Sequence, residues 1–179
     1  MAIHPEFLNT GIFLLPLILC TFQQMAPHHI LVTRLSGNDN IPYQLLLLAD
    51  PSRELIDEYL KNSLVFIASL NSEPIGIYVL YPLPGERAEI KNIAVAKEHQ
   101  GKGIGKLLLA HASQTAKQNG FRFICIGTAD SSIAQIALYQ KQGFSPAGIK
   151  KEFFLNNYPE PVSENGRQAI DMLMFEKKL

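Results

Sequence analysis

A glycine-rich turn between a strand-like and a helix-like segment constrains the fold of this chain more than any other feature. The turn is Gln100-Gly-Lys-Gly-Ile-Gly105; it follows the strand-like segment Glu89 to Val95 and opens an apolar-periodic run that begins at Lys106. Glycines let the backbone approach a ligand closely and adopt angles that other residues avoid. The first N–H groups of a helix lack intrahelical partners and favour an anion. The turn therefore predicts a phosphate cradle, to which Lys102 and Lys106 add positive charge.

The whole chain fits a single globular domain with a substantial core. It has 179 residues, an apolar fraction of 47% and a formal net charge of +0. This charge balance argues against a general nucleic-acid binder, which usually carries a strongly basic face. Cys20 and Cys125 form no CxxC pair, and no His/Cys cluster has metal-ligand spacing. We therefore expect a reduced, cytoplasmic protein that has no metal site.

Residues 1–27 form an apolar extension ahead of the regular pattern. Its apolar run from Ile12 to Cys20 is too short for a membrane span, which needs roughly 20 residues, so we expect no membrane partner. The stretch before that run also lacks the Lys or Arg of a signal peptide. Two interpretations stay open. The extension docks on its own or a neighbouring domain, or Met25 is the natural start and the residues before it are an artificial or upstream addition.

From residue 28 to residue 179 the chain alternates between strand and helix patterns. In chain order the patterns predict a strand at 29–35, helices at 41–48 and 52–62, and strands at 63–70 and 74–81 that a turn at 71–73 joins. A break follows at 82–85. Then come a strand at 87–95, a helix at 103–119, a strand at 121–127 and a helix at 131–142. Strands at 144–155 and 169–178, expected to pair antiparallel, enclose a polar loop at 156–167.

Three segments in a fixed order carry a resemblance to a known family. Gln100-Gly-Lys-Gly-Ile-Gly105 matches the signature (Arg/Gln)-x-x-Gly-x-(Gly/Ala) of the GNAT family of N-acetyltransferases. Glu89 to Val95 resembles the family's fourth strand, and Ala137 to Phe144 resembles its aromatic-containing helix that ends in Gly-Phe. The resemblance implies an α/β GNAT fold over residues 28–179. Its mixed, mostly antiparallel central sheet would be splayed between the fourth and fifth strands and flanked by about four helices.

The resemblance also implies that the chain uses acetyl-CoA as a co-substrate. Backbone N–H groups of the glycine turn would hold the pyrophosphate. Main-chain groups of the splayed fourth strand would bond the pantetheine arm and polarise the acetyl carbonyl. Ser132 stands where many relatives carry an asparagine that contacts this arm. The implied cofactor-binding residues are Ile93, Ala94, Val95, Gln100, Gly101, Lys102, Gly103, Ile104, Gly105, Lys106 and Ser132.

Two residues are candidates for acid–base chemistry. By resemblance, Tyr139 would lie near the cofactor sulfur and protonate the departing thiolate; the alternative is a tyrosine packed in the core with its hydroxyl bonded elsewhere. Glu89 would take a proton from the amine directly or through water. Two alternatives to that role stay open. Glu89 and Lys91 point to the same strand face and can form a simple ion pair, and a water chain can serve as the base.

The resemblance implies transfer of an acetyl group to a primary amine by direct attack within a ternary complex. The acceptor is a small-molecule or peptide amine. Tyr158, Glu160 and Glu164 in the polar loop would suit a cationic amine, although a solvated loop explains them without any function. The alternative function is a non-catalytic acyl-CoA binding or protein-interaction module on the same fold, and a binder of another phosphate ligand stays as a third option.

Three further expectations concern packing and assembly. His111 lies on the apolar stripe of its helix, and we expect it to be packed and bonded to a neighbour. Cys125 lies among apolar strand residues, where burial raises the pKa of a thiol and makes it inert. A sheet with exposed late strands and an apolar extension favours a homodimer.

Overall fold

A computed structural model of the chain describes residues 29–36, 39–164 and 166–179. The predicted extension at residues 1–27, with Cys20 and Met25, lies outside the described residues. Within the described part, no helix is both long enough and apolar enough to cross a membrane. Because the extension lies outside the described residues, the division of the chain at residue 28 stays a prediction.

A seven-stranded sheet organises the described part of the chain. The strand order is β1-β2-β3-β4-β5-β9-β6, and every neighbouring pair is antiparallel except β4 and β5. A separate hairpin pairs β7 with β8. The strands are β1 (Leu31–Arg34), β2 (Leu64–Leu70), β3 (Glu73–Leu83), β4 (Arg87–Val95), β5 (Phe123–Ala129), β6 (Ser145–Lys150), β7 (Ser163–Glu164), β8 (Arg167–Gln168) and β9 (Met172–Lys178). The predicted mixed, mostly antiparallel sheet is confirmed.

The sheet splays between β4 and β5, as predicted. The two strands pair only from Arg87 opposite Phe123 to Ile90 opposite Ile126, and β4 then continues to Val95 without β5. A β-bulge occurs at the same point, because Leu80 pairs with Ile90 while Val79 pairs with Asn92. The extra residue between these two pairs is Lys91. A bulge bends its strand and increases the local twist, which explains why β4 leaves β5 here.

Five helices flank the sheet in the described part: α1 (Tyr43–Leu46), α2 (Arg53–Leu60), α3 (Ile104–Gln118), α4 (Ile133–Lys141) and α5 (Phe153–Asn157). Side chains alternate across a strand, so the central strands have a core on each side. Leu108 of α3 and Tyr139 of α4 belong to one core, together with Tyr78 of β3. Ile56 of α2 belongs to the other core, together with Ile77 of β3.

Three local features of the sequence set the bounds of these elements. Ser52 caps α2 by accepting a hydrogen bond from the backbone N–H of Leu55 at 3.3 Å. Asn71 and Ser72 both have positive φ, 50° and 68°, and form the predicted tight hairpin turn between β2 and β3. Gly120, with φ of 85°, follows the end of α3. Each of these bounds agrees with the sequence pattern to within a few residues.

Two predicted bounds are wrong. The break predicted at residues 82–85 is too early, because β3 runs through Pro82. Pro82 lies beyond the end of β2 and has a strand neighbour on one side only, where proline is tolerated. The strand predicted at 144–155 is too long. Asp171 binds the backbone N–H of Glu152 at 2.9 Å and the Lys151 ammonium at 2.6 Å, which ends β6 and starts α5.

Candidate functional site

A cleft of about 1430 Å³ opens where β4 and β5 separate. Its walls come from the second half of β4, the glycine turn and first turn of α3, the end of β5, α4, the loop between α1 and α2, and α5 with the segment that follows it. A gap between parallel strands, widened by a bulge, exposes backbone groups that a continuous sheet would pair. The cleft therefore brings most of the predicted site residues together.

The glycine turn forms the predicted cradle at the start of α3. Gly101 and Gly103 have φ values of 72° and 82°, and Gly103 is the N-cap of the helix. No side chain of the described residues caps this helix, so its first N–H groups are available to a ligand. A Cβ atom built on either glycine would meet no atom within 4 Å. The geometry fits a phosphate group, which needs open space against backbone donors.

The other residues of the glycine turn differ in their contacts and in their exposure. Gln100 donates a side-chain hydrogen bond from Nε2 to the carbonyl oxygen of Val95 at 3.0 Å, so it ties the turn to the end of β4. Lys106 lines the cleft, whereas the Lys102 side chain is exposed and does not. Ile104 is buried in the core, which leaves its backbone N–H as the group that faces a ligand. Gly105 is an ordinary helical residue, and its φ is not positive, unlike those of Gly101 and Gly103.

The free edge of β4 forms the second wall predicted to contact the cofactor. Ile93, Ala94 and Val95 line the cleft. They pair with β3 on one side and have no β5 partner on the other. Backbone polar groups at an unpaired strand edge bind a ligand readily, because a ligand can supply the missing hydrogen bonds.

Glu89 lies in the cleft and forms an ion pair. Its side chain is buried, with the residue 6% exposed, and its Oε2 atom lies 2.7 Å from the Lys91 ammonium. Lys91 also lies 5.6 Å from the centre of the Tyr81 ring. The sequence left a simple ion pair with Lys91 open as an alternative to a catalytic role for Glu89, and this ion pair is present. The role of Glu89 as a base stays a prediction, since a paired carboxylate in a cleft can still accept a proton.

Tyr139 is a buried residue that lines the cleft. It is 5% exposed, and its ring packs against Phe144 and Phe175 at centre distances of 6.2 and 6.1 Å. Among the described residues its hydroxyl has no hydrogen-bond partner, although the residue lines the cleft. Burial, and to a lesser extent the charge of Glu164, raises the pKa of Tyr139, so the hydroxyl keeps its proton. The geometry suits a proton donor.

Ser132 lines the cleft, but its hydroxyl already has a partner. It donates a hydrogen bond to Oε2 of Glu164, and Gln135 donates from Nε2 to Oε1 of the same carboxylate at 3.1 Å. These two bonds join α4 to the β7–β8 hairpin. The hydroxyl of Ser131 and the Oε1 atom of Gln135 are buried and have no partner among the described residues. The proposed contact of Ser132 with a cofactor stays a prediction.

Sequence reasoning missed a polar cluster in the same cleft, formed by Asp50, Tyr59, Asn92 and Tyr158. Asp50 accepts hydrogen bonds from the Tyr158 hydroxyl at 3.1 Å and from the backbone N–H of Ser52 at 3.0 Å. Asn92 donates from Nδ2 to the Tyr59 hydroxyl and to the carbonyl oxygen of Leu46, both at 3.0 Å. Burial raises the pKa of Asp50. Of these four residues, the sequence analysis linked only Tyr158 to the site, because it lies in the predicted polar loop.

His111 and Cys125 have the structural roles predicted for them. The His111 Nδ1 atom lies 2.8 Å from the Tyr78 hydroxyl, and its ring meets Phe66 edge-on. Burial raises the pKa of the Cys125 thiol to about 11, which leaves very little thiolate at neutral pH. Within the described ranges, no group of three or more His, Cys, Asp or Glu side chains is arranged to hold a metal ion.

The sequence is similar to known acetyltransferases. The sequence model described as "Acetyltransferase (GNAT) family" matches residues 35–144. Among curated proteins, an uncharacterized N-acetyltransferase of Bacillus subtilis (strain 168), YvbK, is 46% identical over 136 residues. That match covers 76% of this chain and 87% of the relative.

The fold is similar to solved structures of the same kind. A GNAT family acetyltransferase from Elizabethkingia anophelis with acetyl-CoA bound has a TM-score of 0.82 and 48% identity. It matches 84% of this chain and 98% of its own. An acetyltransferase from Bacillus subtilis in complex with CoA has a TM-score of 0.79 and 41% identity, over 84% of this chain and 99% of its own.

Proposed function

The chain belongs to the GNAT acetyltransferase family and is an acetyl-CoA-dependent acetyltransferase, and we propose that its acceptor is a primary amine. The observation that carries the proposal is the arrangement of the cleft. An uncapped helix N-terminus behind an open glycine turn, an unpaired strand edge and a buried tyrosine hydroxyl all face one space. This set of groups serves acyl transfer, which needs an anion site, a donor for the carbonyl oxygen and a proton donor.

The binding residues that we propose follow the two walls of the cleft. Backbone N–H groups from Gly101 to Lys106 would hold the pyrophosphate of acetyl-CoA, and the Lys106 ammonium would add positive charge. The free edge of β4 from Ile93 to Val95 would hold the pantetheine arm, and one of its N–H groups would polarise the acetyl carbonyl. Acetyl-CoA supplies an acetyl group activated as a thioester.

Glu89 and Tyr139 divide the proton chemistry in this proposal. Glu89 accepts a proton from the acceptor amine directly or through water, so that the nitrogen lone pair can attack the carbonyl carbon. The N–C bond forms as the C–S bond breaks. Tyr139 gives its proton to the sulfur that leaves, and the nitrogen gives up a second proton through water as the amide forms. That second proton replaces the one lost by Tyr139, and the proton held by Glu89 passes to the solvent, so one proton is released in the whole reaction. The raised pKa of Tyr139 keeps the tyrosine proton in place until the sulfur becomes anionic.

Release of free CoA thiol tests the proposal. The purified chain is incubated with acetyl-CoA and each member of a panel of primary amines, and the thiol is measured against a control without amine. We expect thiol release with at least one amine, together with a mass increase of one acetyl group on the amine. Tight acetyl-CoA binding without thiol release for any amine would contradict the proposal and favour a non-catalytic acyl-CoA binding module.

We also propose a cytoplasmic homodimer. Support for the dimer comes from β6, which forms one edge of the sheet and is exposed along its whole length. An exposed strand edge favours pairing with another chain. The mass in solution measures the assembly, and deletion of residues 1–24 asks whether the extension takes part. A monomeric mass for the full chain would reject the dimer.

A further inference from the structure

Asp50 is a buried carboxylate that lacks a cationic partner among the described residues. It is 9% exposed, and none of the ion pairs in the described part of the chain includes it. Its hydrogen-bond partners are neutral donors, the hydroxyl of Tyr158 and the backbone N–H of Ser52, and the neutral hydroxyl of Tyr59 lies beside it. A buried charge without a counter-ion is costly, and proteins normally pair it. The cleft therefore contains a carboxyl group whose charged form a bound cation would stabilise.

A second, independent observation in the same cleft concerns Asn92. This residue is 3% exposed, and its Oδ1 atom has no hydrogen-bond donor among the described residues. Its Nδ2 atom binds the Tyr59 hydroxyl, which places Asn92 in the polar cluster that contains Asp50. An orphaned buried acceptor normally has a donor from a ligand or water. A ligand that supplies both a positive charge and several N–H donors would complement Asp50 and the Oδ1 atom of Asn92.

The lysines of the cleft do not fill this role. Lys91 is paired with Glu89, the Lys150 ammonium lies 5.6 Å from the centre of the Phe153 ring, and Lys106 belongs to the wall at the glycine turn. The remaining charged side chains contributed by α2 and by the segment after α5 are acidic: Glu54, Glu58, Glu160 and Glu164. This wall of the cleft thus favours a cation, whereas the wall at the glycine turn favours an anion.

We propose that the acceptor carries a second cationic group besides the amine that reacts, and that Asp50 and Asn92 bind this second group. The inference rests on the proposed acetyl transfer to an amine. The two groups must differ, because an ammonium held against a carboxylate retains its proton, whereas the attacking amine must lose its proton. The substrate class is therefore a diamine or a longer polyamine. Asp50 acts as a determinant of specificity and takes no part in bond formation.

Linear diamines of increasing length test the proposal, each paired with the monoamine in which a methyl group replaces the second ammonium. We expect one diamine length to exceed its monoamine by at least about 30-fold in kcat/KM. The Asp50→Asn variant keeps an oxygen for the Tyr158 and Ser52 bonds but removes the charge. It should lose this preference mainly through KM. Asp57→Asn is the matched control, because Asp57 is bound to Tyr43 and Arg53 outside the cleft.

A purely structural role for Asp50 is tested by Tyr158→Phe, which removes one hydrogen bond to Asp50 and leaves its charge. We expect this variant to retain the preference for diamines. The proposal is overturned if Tyr158→Phe loses the preference as completely as Asp50→Asn does. Equal kcat/KM values for diamines and monoamines in the unaltered chain would also overturn it, and would leave amine acetylation standing.

A direct measurement of binding distinguishes failure of the proposed cation site from failure of the proposed acetyl transfer. Isothermal titration of the same diamines into the chain saturated with CoA measures the cation site without any chemical step. We expect a diamine to bind the unaltered chain and to lose affinity by at least about 30-fold in Asp50→Asn. If no amine is acetylated but this difference is found, the proposed function fails and the cation site stands. Equal binding to both proteins would reject the cation site.

Discussion

At the scale of single residues, the structure separates side chains that look alike in the sequence. Tyr139 and Tyr78 are both buried, but the Tyr78 hydroxyl binds His111 and Thr115 whereas the Tyr139 hydroxyl has no partner among the described residues. The sequence left core packing of Tyr139 open as an alternative and could not predict whether its hydroxyl is bonded. That difference depends on which side chains other elements bring to the atom, and it leaves the Tyr139 hydroxyl available to a ligand in the cleft, which the proposed role as a proton donor requires.

Replacement of Tyr139 by phenylalanine tests its role. Tyr139→Phe retains the ring that packs against Phe144 and Phe175, and it removes a hydroxyl that stabilises nothing in the described structure. We expect kcat to fall by at least about tenfold, since a positioned general acid typically contributes on the order of 10². The KM for acetyl-CoA should change little. Steady-state kinetics with the amine in excess measures both values.

Tyr43→Phe is the matched control for this change, because the Tyr43 hydroxyl binds Asp57 outside the cleft. It should leave kcat unaltered. Equal losses in kcat and in acetyl-CoA affinity for Tyr139→Phe would argue that the residue only shapes the binding site.

At the scale of elements, the unit from β4 through the glycine turn to α3 was predicted with the fewest errors. Its signals are local: glycines that adopt positive φ, a helix that begins beside them and a strand that precedes them. The segment from β6 to α5 was predicted less well. Its strand ends because Asp171, about twenty residues away, binds Lys151 and Glu152. No property of residues 144–155 alone carries that information.

Replacement of Gly103 by alanine tests the cradle as an element. Alanine at φ of 82° is strained, and we expect the free energy of unfolding to fall by about 1 kcal/mol. The new methyl group would also occupy open space against the turn. We therefore expect the affinity for acetyl-CoA to fall by about tenfold or more. Urea unfolding and titration of acetyl-CoA measure the two effects.

Gly148→Ala in β6 provides the matched control. Gly148 also has open space where a Cβ atom would lie, but its φ is not positive and it lies outside the cleft. Neither the free energy of unfolding nor the affinity for acetyl-CoA should fall as far in Gly148→Ala as in Gly103→Ala. Unchanged affinity in Gly103→Ala would mean that the turn does not hold the cofactor.

At the scale of the whole molecule, buried polar contacts connect the sheet to the helices that cover it. His111 of α3 reaches the Tyr78 hydroxyl of β3 at 2.8 Å, and Thr115 of α3 accepts a hydrogen bond from that same hydroxyl at 3.2 Å. Burial lowers the pKa of His111 from its usual value of 6.5. Because desolvation opposes the charged form, protonation of His111 weakens the packing of α3 on the sheet.

The lowered pKa of His111 predicts how stability changes with pH. Above the unfolded-state value of 6.5 the imidazole is neutral in both states, and its contribution to stability is fully present. As the pH falls below that value, the unfolded chain binds a proton that the folded chain resists, so stability is lost towards the folded-state pKa. Urea unfolding between about pH 7 and about pH 5 should therefore show a smaller loss of stability in His111→Gln than in the unaltered chain.

The same substitution at His99 provides the comparison, since His99 lies in the short 3-10 helix Lys97–His99, outside both cores. His99→Gln should retain the pH dependence of the unaltered chain. Identical pH profiles for His111→Gln and the unaltered chain would show that His111 does not titrate with folding.

The sequence by itself determined the features that depend on neighbouring residues: the alternation of strands and helices, the glycine turn and the start of α3, and hence the anion cradle and the family. Tertiary structure alone decided which distant groups meet. The Tyr158 hydroxyl donates a hydrogen bond to Asp50, which lies 108 positions earlier in the chain. The Ser132 hydroxyl donates a hydrogen bond to Glu164, and a bulge at Lys91 marks the point where β4 separates from β5. Local conformational preferences act over a few residues, whereas these contacts depend on how the whole chain packs around its two cores.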